Sequence, residues 1–211
     1  ISWEGTVILQ EDKKEPVKDT SIVYISNCFV GSDMTAHAFD SLVEKVNEKK
    51  PDVILFGGNL FGRHTNEVTI DKTLASIKKM KAALGIYMVE GSADSALVEE
   101  KKEKISGAGV HLLLDESAVL HNGLQLVGCR ADGKTKKPMS YILSLINKEK
   151  PSIVLAGETM EEKLKEEKKI SLVLYPKKIT DTGNGGTSGV NQMFPRNVLA
   201  SAKINYMQIK K

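Results

Sequence analysis

Five stretches of this sequence place polar or reactive groups where an apolar run gives way to a loop. They are Ser26-Asn27-Cys28-Phe29, Gly57-Gly58-Asn59, Glu90-Gly91-Ser92-Ala93-Asp94, Gly128-Cys129-Arg130 and Ala156-Gly157-Glu158. In an open α/β sheet the carboxyl ends of the strands are where ligands bind, so five such exits outline the rim of a site. The chemistry they carry is sparse. Asp94 and Glu158 could form a general acid–base pair, and Cys28 or Cys129 could act as a nucleophile. No residue near either cysteine in the sequence supplies the base that would activate it. The four histidines, His37, His64, His111 and His121, fall at a helix start, a loop, a strand start and a hairpin, and read as surface or structural residues.

The elements that must position these exits can be read from periodicity. An opening strand is expected over residues 3–9 and the first exit follows a strand at 22–25. Phe39, Leu42, Val43 and Val46 recur on one face of a helix starting near Thr35, and Lys49-Lys50-Pro51 closes it. A buried strand at 52–56 follows. Ile70, Leu74, Ile77 and Met80 predict a second helix with Gly85 as its C-cap, then a strand at 86–89. A charged helix over 96–106 leads to short strands at 111–114, 118–120 and 124–127, the last two joined by the hairpin signal His121-Asn122-Gly123. Tyr141, Ile142, Leu145 and Ile146 mark a further helix before a strand at 152–155. The spacing then predicts a charged helix over 161–169, a strand at 170–174, a mobile glycine-rich loop at 181–191 and a last strand at 203–209 on a sheet edge. That loop is no phosphate cradle, because no Gly-Lys-Ser/Thr follows it.

One echo runs through the chain. Val46-Asn-Glu-Lys-Lys-Pro-Asp-Val-Ile-Leu-Phe-Gly57 and Ile146-Asn-Lys-Glu-Lys-Pro-Ser-Ile-Val-Leu-Ala-Gly157 share a helix end, a proline break, a buried strand and a glycine exit. Two such halves face to face would make two sheets with helices outside.

Bulk properties narrow the function classes. The 211 residues are 41% hydrophobic, enough for one compact α/β domain spanning 1–211. The net charge of +3 arises from 30 basic and 27 acidic residues that alternate along helix surfaces, a solvated pattern that gives no reason to expect nucleic acid. With aromatics at 5%, platforms for stacking single strands are scarce. Cys28 and Cys129 lack metal or redox spacing and read as two small buried thiols. No apolar run approaches the ~18–20 residues that span a bilayer. Because the sequence opens on Ile1, an upstream segment, a signal or an anchor, is expected to have been removed.

The order of motifs resembles the calcineurin-like metallophosphoesterases, most nearly their membrane-anchored bacterial branch. The resemblance runs from about residue 20 to 197 and is carried by LVEKVNEKKPDVILFGGNLF, GIYMVEGSADS, GVHLLLDESAVLHNGLQLVG and QMFPRN. It implies a four-layer α/β/β/α sandwich of two mixed sheets. It also implies attachment to a membrane through an upstream segment, and a pair of divalent metals held by Asp, His and Asn, which generate a hydroxide and neutralise phosphate.

At the matching positions the ligands are absent. The first motif's Asp and His are Asn27 and Phe29, and the bridging Asp of the second is Asn59. In the third, the metal-binding Asn is Ser92 and the catalytic His is Ala93, leaving Asp94. The later histidine falls on Gly157, beside Glu158, and the final histidine pair on Lys177 and Ile179. Aligning Gln192-Met-Phe-Pro195 instead moves that pair into the glycine loop, which has no histidine either. A carboxamide keeps only a weak carbonyl ligand, and Phe, Ala, Gly or Ile keep none. These residues therefore outline a vestigial cleft. No metal, cofactor or catalytic residue is expected, and Arg63, Arg130, Lys177 and Lys178 could border it and hold an anion or be ordinary surface cations. The expectation is an inactive domain that binds another protein or a further domain of a larger chain. A metal-independent hydrolase in the same cleft is the alternative.

Overall fold

A computed structural model describes residues 2–8, 19–131, 136–158, 170–176 and 201–208. The helix expected over 161–169, the loop at 181–191, and Lys177, Lys178 and Ile179 lie outside the described residues.

The strands are β1 (Ser2–Ile8), β2 (Thr20–Ser26), β3 (Val53–Phe56), β4 (Ile86–Met88), β5 (Val110–Leu112), β6 (Ser117–Val119), β7 (Gln125–Cys129), β8 (Ser152–Ala156), β9 (Leu172–Leu174) and β10 (Ser201–Gln208). The helices are α1 (Ala36–Glu48), α2 (Glu67–Ile77), α3 (Ser95–Ser106) and α4 (Met139–Ser144). One sheet has the order β1-β10-β2-β3-β4-β5 and the other β6-β7-β8-β9. Each is mixed: β1–β10 and β6–β7 are antiparallel, and the remaining pairs are parallel.

Alternation along the strands creates three apolar layers. On β2, Val23 and Ile25 face the helices while Ile22 and Tyr24 face the second sheet. On β3, Ile54 and Phe56 take the helix side and Val53 and Leu55 the inter-sheet side. Ile153 and Leu155 of β8 meet them across that middle layer, while Val154 and Ala156 turn outward to Ile142 of α4. The result is the four-layer α/β/β/α arrangement of two mixed sheets that the resemblance implies. The echoed segments are β3 and β8 with their lead-in helices, one in each sheet, presenting the same alternate residues to each other.

Local chemistry sets the helix bounds. Thr35 caps α1 by accepting the Ala38 amide at 3.1 Å, and Phe39, Leu42, Val43 and Val46 are its buried face. Each of these side chains contributes about 2 kcal/mol by leaving water. Asn66 caps α2 through the Thr69 amide at 2.9 Å.

Two expectations are corrected. Gly85 is not the cap of α2, which ends at Ile77 with Lys78 as its C-cap; Gly85 instead turns the chain into β4 at φ +100°. β10 is not an edge strand, because it pairs with β1 on one side and β2 on the other. A sequence of alternating residues at the end of a chain does not reveal which gap in a sheet it fills. The hairpin over 121–123 forms as expected, with Gly123 at φ +90°. At the same end of the sandwich, the Asn122 amide group donates to the Thr20 hydroxyl at 2.7 Å, joining the second sheet's hairpin to the start of β2.

Candidate functional site

The exits of β2, β3 and β4 stand side by side, and the first two are bonded to each other through the backbone. The Asn27 amide donates to the Gly58 carbonyl at 3.1 Å, the Phe29 amide to the Asn59 carbonyl at 2.9 Å, and the Val30 amide to the Leu60 carbonyl at 2.9 Å. Asn27, Phe29 and Asn59 all adopt left-handed backbone conformations, at φ 55°, 47° and 51°. Asparagine tolerates that region, whereas for phenylalanine it stores strain of about 1–3 kcal/mol. The Phe29 carbonyl is held by the amides of Ser32, Asp33 and Met34, which fixes the turn. Phe29 is half-buried and belongs to none of the three apolar layers.

Side chains and close backbone contacts also join these exits. The Asn59 side-chain amide donates to the Asn27 carboxamide oxygen at 2.8 Å, and the Asn59 carboxamide oxygen accepts the Ala93 amide at 2.9 Å. Both asparagines are buried. A side-chain carbon on Gly91 would lie 2.4 Å from the Asn59 carboxamide oxygen, so the β3 and β4 exits touch with no room between them. A carbon on Gly157 would lie 1.9 Å from the Glu90 carbonyl oxygen and 2.7 Å from the Ala131 amide nitrogen. No side chain fits at position 157 without moving backbone.

Asp94 is fully buried, with its carboxylate facing the loops rather than capping α3. One oxygen accepts the Gly91 amide at 2.7 Å and the other the Phe61 amide at 3.2 Å. Burial pushes its pKa up to about 6, against the pull of the amides of Gly91, Phe61 and Leu60 and with a further push from Glu90. Ser92 is exposed and Ala93 half-buried, so neither offers a ligand to the interior. The buried Ser26 hydroxyl has no hydrogen-bond partner among the described residues.

Arg130, expected as a surface cation or an anion holder, is neither. It is buried and forms a bidentate pair with the fully buried Glu90, at 2.7 and 2.9 Å, and reaches Glu99 of α3 at 3.0 Å. Its backbone amide donates to Asp115 at 2.9 Å. Burial raises the Glu90 carboxyl above its ordinary range while Arg130 pulls it down. Glu90 leaves the first sheet and Arg130 the second, so this pair ties the two halves of the rim together. The sequence holds both residues at strand exits, but 40 positions apart with no local pattern to join them. Arg63 is exposed.

The groups of the hydrolase alternative do not assemble. Glu158 is half-buried and pairs with Lys136 at 3.1 Å, and no hydrogen bond or ion pair joins it to Asp94 among the described residues. Both cysteines are buried free thiols. Burial, with the Asp94 charge adding to it, drives the Cys28 thiol up to about 12, and burial drives Cys129 to about 11. Thiols held that high are not nucleophiles near neutral pH. None of the four histidines is buried, and His111 stacks on Tyr87 with ring centres 4.9 Å apart.

A dinuclear metal centre does not fit these residues. The two residues that the resemblance sets against metal-binding aspartates, Asn27 and Asn59, are neutral carboxamides bonded to each other, and at Gly157, set against a histidine, a carbonyl oxygen fills the space a side chain would need. Among the described residues no three of His, Cys, Asp and Glu converge in a metal-binding group. A cavity of about 750 Å³ lies between α1 and α2, bordered by Gly31 to Thr35 of the loop that continues the β2 exit, and there Asp40 is held by Lys79 and Ser76, both at 2.7 Å. A second, of about 430 Å³, lies beside β5 and α3.

No family model matches the chain. A crystal structure of TT1561 from Thermus thermophilus is similar at 18% identity and a TM-score of 0.49, over 66% of this chain and 67% of that one. The chain spans about half the length of the curated relatives it matches. Two such relatives, from Helicobacter pylori strains 26695 and J99, cover 90% of this chain and 50% of their own length, at 25% and 24% identity. The chain is thus similar, along most of its length, to proteins named as uncharacterized metallophosphoesterases.

Proposed function

We propose that this chain is a catalytically inactive metallophosphoesterase-like domain, kept as a binding or structural module that engages another protein or a further part of a longer chain. The observation that carries the reading is the direct 2.8 Å hydrogen bond between Asn59 and Asn27. These residues stand where the resembling enzymes keep metal-binding aspartates. Two aspartates so close repel each other and call for a cation between them; two asparagines satisfy each other and call for none. The blocked position at Gly157 supports the same reading, since restoring a ligand there requires moving the β4 exit. The tie between Glu90 and Arg130 links the exits of the two sheets through side chains alone, with no ion called for.

The test is metal content and turnover of the purified full-length protein. We expect substoichiometric manganese, iron and zinc by mass spectrometry, and no cleavage of p-nitrophenyl phosphate or its bis-ester above background with added manganese. Turnover that rises with manganese and is lost on chelation would end this reading.

A further inference from the structure

If the rim is closed, a binding module must use another surface, and the groove beside β5 has the features of one. It is lined by Leu112 and Leu114, both half-buried, and by Glu99, Glu103, Glu116, Lys102 and Arg130 among others. The two leucines lie on the α3 side of the sheet, packed against the edge of the first apolar layer, so the floor is apolar and fixed. The walls are charged unevenly. Glu99 is held by Lys102 and by Arg130, each at 3.0 Å, and Arg130 is already bound to the buried Glu90. Both cations are therefore engaged. Glu103 and Glu116 are exposed and make no ion pair among the described residues. The whole chain carries a net charge of +3, so this negative surplus is a property of the groove and not of the composition.

The groove also follows a sheet edge that no other described strand covers. β5 ends the first sheet and pairs only with β4 among the described residues, and β6 likewise ends the second. An open edge offers backbone donors and acceptors to an added strand, whose alternate side chains then lie on one face. On the α3 face, one side chain of such a strand would rest beside Leu112 and Leu114, and residues two positions away would reach Glu103 and Glu116.

We propose that this groove docks an extended segment of a partner protein, carrying an aliphatic residue flanked at alternate positions by lysine or arginine. The proposal rests on the reading of the chain as a binding module and names the surface and the chemistry of its partner. Aliphatic contact with the floor supplies the affinity, and the two unpaired glutamates select the charge of the ligand.

The test uses two short labelled peptides, one alternating threonine with Lys-Leu-Lys and the other with Glu-Leu-Glu, titrated against the intact protein by fluorescence anisotropy. The lysine peptide should bind about tenfold or more tightly than the glutamate peptide at low salt, and the gap should narrow at high salt. The double variant Glu103→Lys/Glu116→Lys, changed only at exposed positions and checked by circular dichroism, should reverse the preference. Amide shifts on adding the lysine peptide should centre on residues 110–116. Equal binding of the two peptides, an unreversed preference in a folded double variant, or shifts centred elsewhere would overturn the assignment. Metal-dependent turnover would sink the inactive reading without touching these results, so the two failures are distinguishable.

Discussion

β3 and β8 hold equivalent places in the two sheets. Each follows a helix and a buried proline, each sends alternate residues into the layer between the sheets, and each ends at a buried glycine. The glycines then meet different neighbours. A side-chain carbon on Gly57 would strike the tip of the Tyr24 ring, 1.9 Å from its hydroxyl, whereas one on Gly157 would strike the Glu90 backbone at the same distance. The β3 exit runs on through Gly58 and the left-handed Asn59, keeping a turn whose carboxamide still reaches the rim. The β8 exit is pressed directly against the opposite sheet. What separates them is whether the neighbour is a side chain that can swing or backbone that cannot.

The sharpest way to break this comparison is to add one carbon to each glycine. Gly157→Ala is expected to cost about 5 kcal/mol or to prevent folding, because the overlap can be relieved only by moving the Glu90 backbone. Gly57→Ala should cost less, about 2–3 kcal/mol, since the Tyr24 ring can tilt within its layer. Urea unfolding of both variants measures the gap, and equal costs would show that the β8 exit is no more tightly closed than the β3 exit.

Next in size is Arg130→Met, which leaves Glu90 charged and buried without its partner. A loss of about 3–5 kcal/mol is expected, and Glu90→Gln combined with it should recover a substantial part. A double variant no more stable than Arg130→Met alone would mean that the pair does not fasten the sheets.

Smaller again is a pH dependence. The carboxyl of Asp94 has its folded pKa raised to about 6, above its ordinary value, so its contribution favours the folded state below about pH 4 and is lost as the pH rises through 6. Against Asp94→Asn, whose side chain does not titrate, the wild type should lose about 3 kcal/mol of relative stability between those limits. Paired denaturation curves at about pH 4 and pH 7 read this difference directly, and parallel behaviour of the two proteins would place Asp94 in a wetter setting.

The layers of the molecule were legible because burial has a period. Phe39, Leu42, Val43 and Val46 announced the inner face of α1, and Thr35 its cap; the apolar runs in 52–56 and 152–155, each between a proline and a glycine, announced two equivalent strands. Asn27, Phe29, Asn59 and Gly157, which the resemblance sets against metal ligands, were equally visible as letters. What could not be read was contact across distance. Nothing local to Arg130 reveals that Glu90 lies opposite, so its cation read as available. Nothing about Gly157 reveals that a carbonyl oxygen fills the space where a side chain would go. The backbone cost at Phe29 was hidden for another reason: a left-handed turn is written in dihedral angles, and an aromatic residue is a poor guide to one.

The hydrogen bond from Asn122 to Thr20 lies at the opposite end of the sandwich from the Glu90–Arg130 pair. Together they pin the two sheets at both ends of the layer between them. A pair of plates fastened at one end can swing like jaws; fastened at both, it has no axis about which to turn. Parting the sheets at either end would therefore break a link at the other or expose the apolar layer between them, so motion of one sheet against the other carries a cost at both ends.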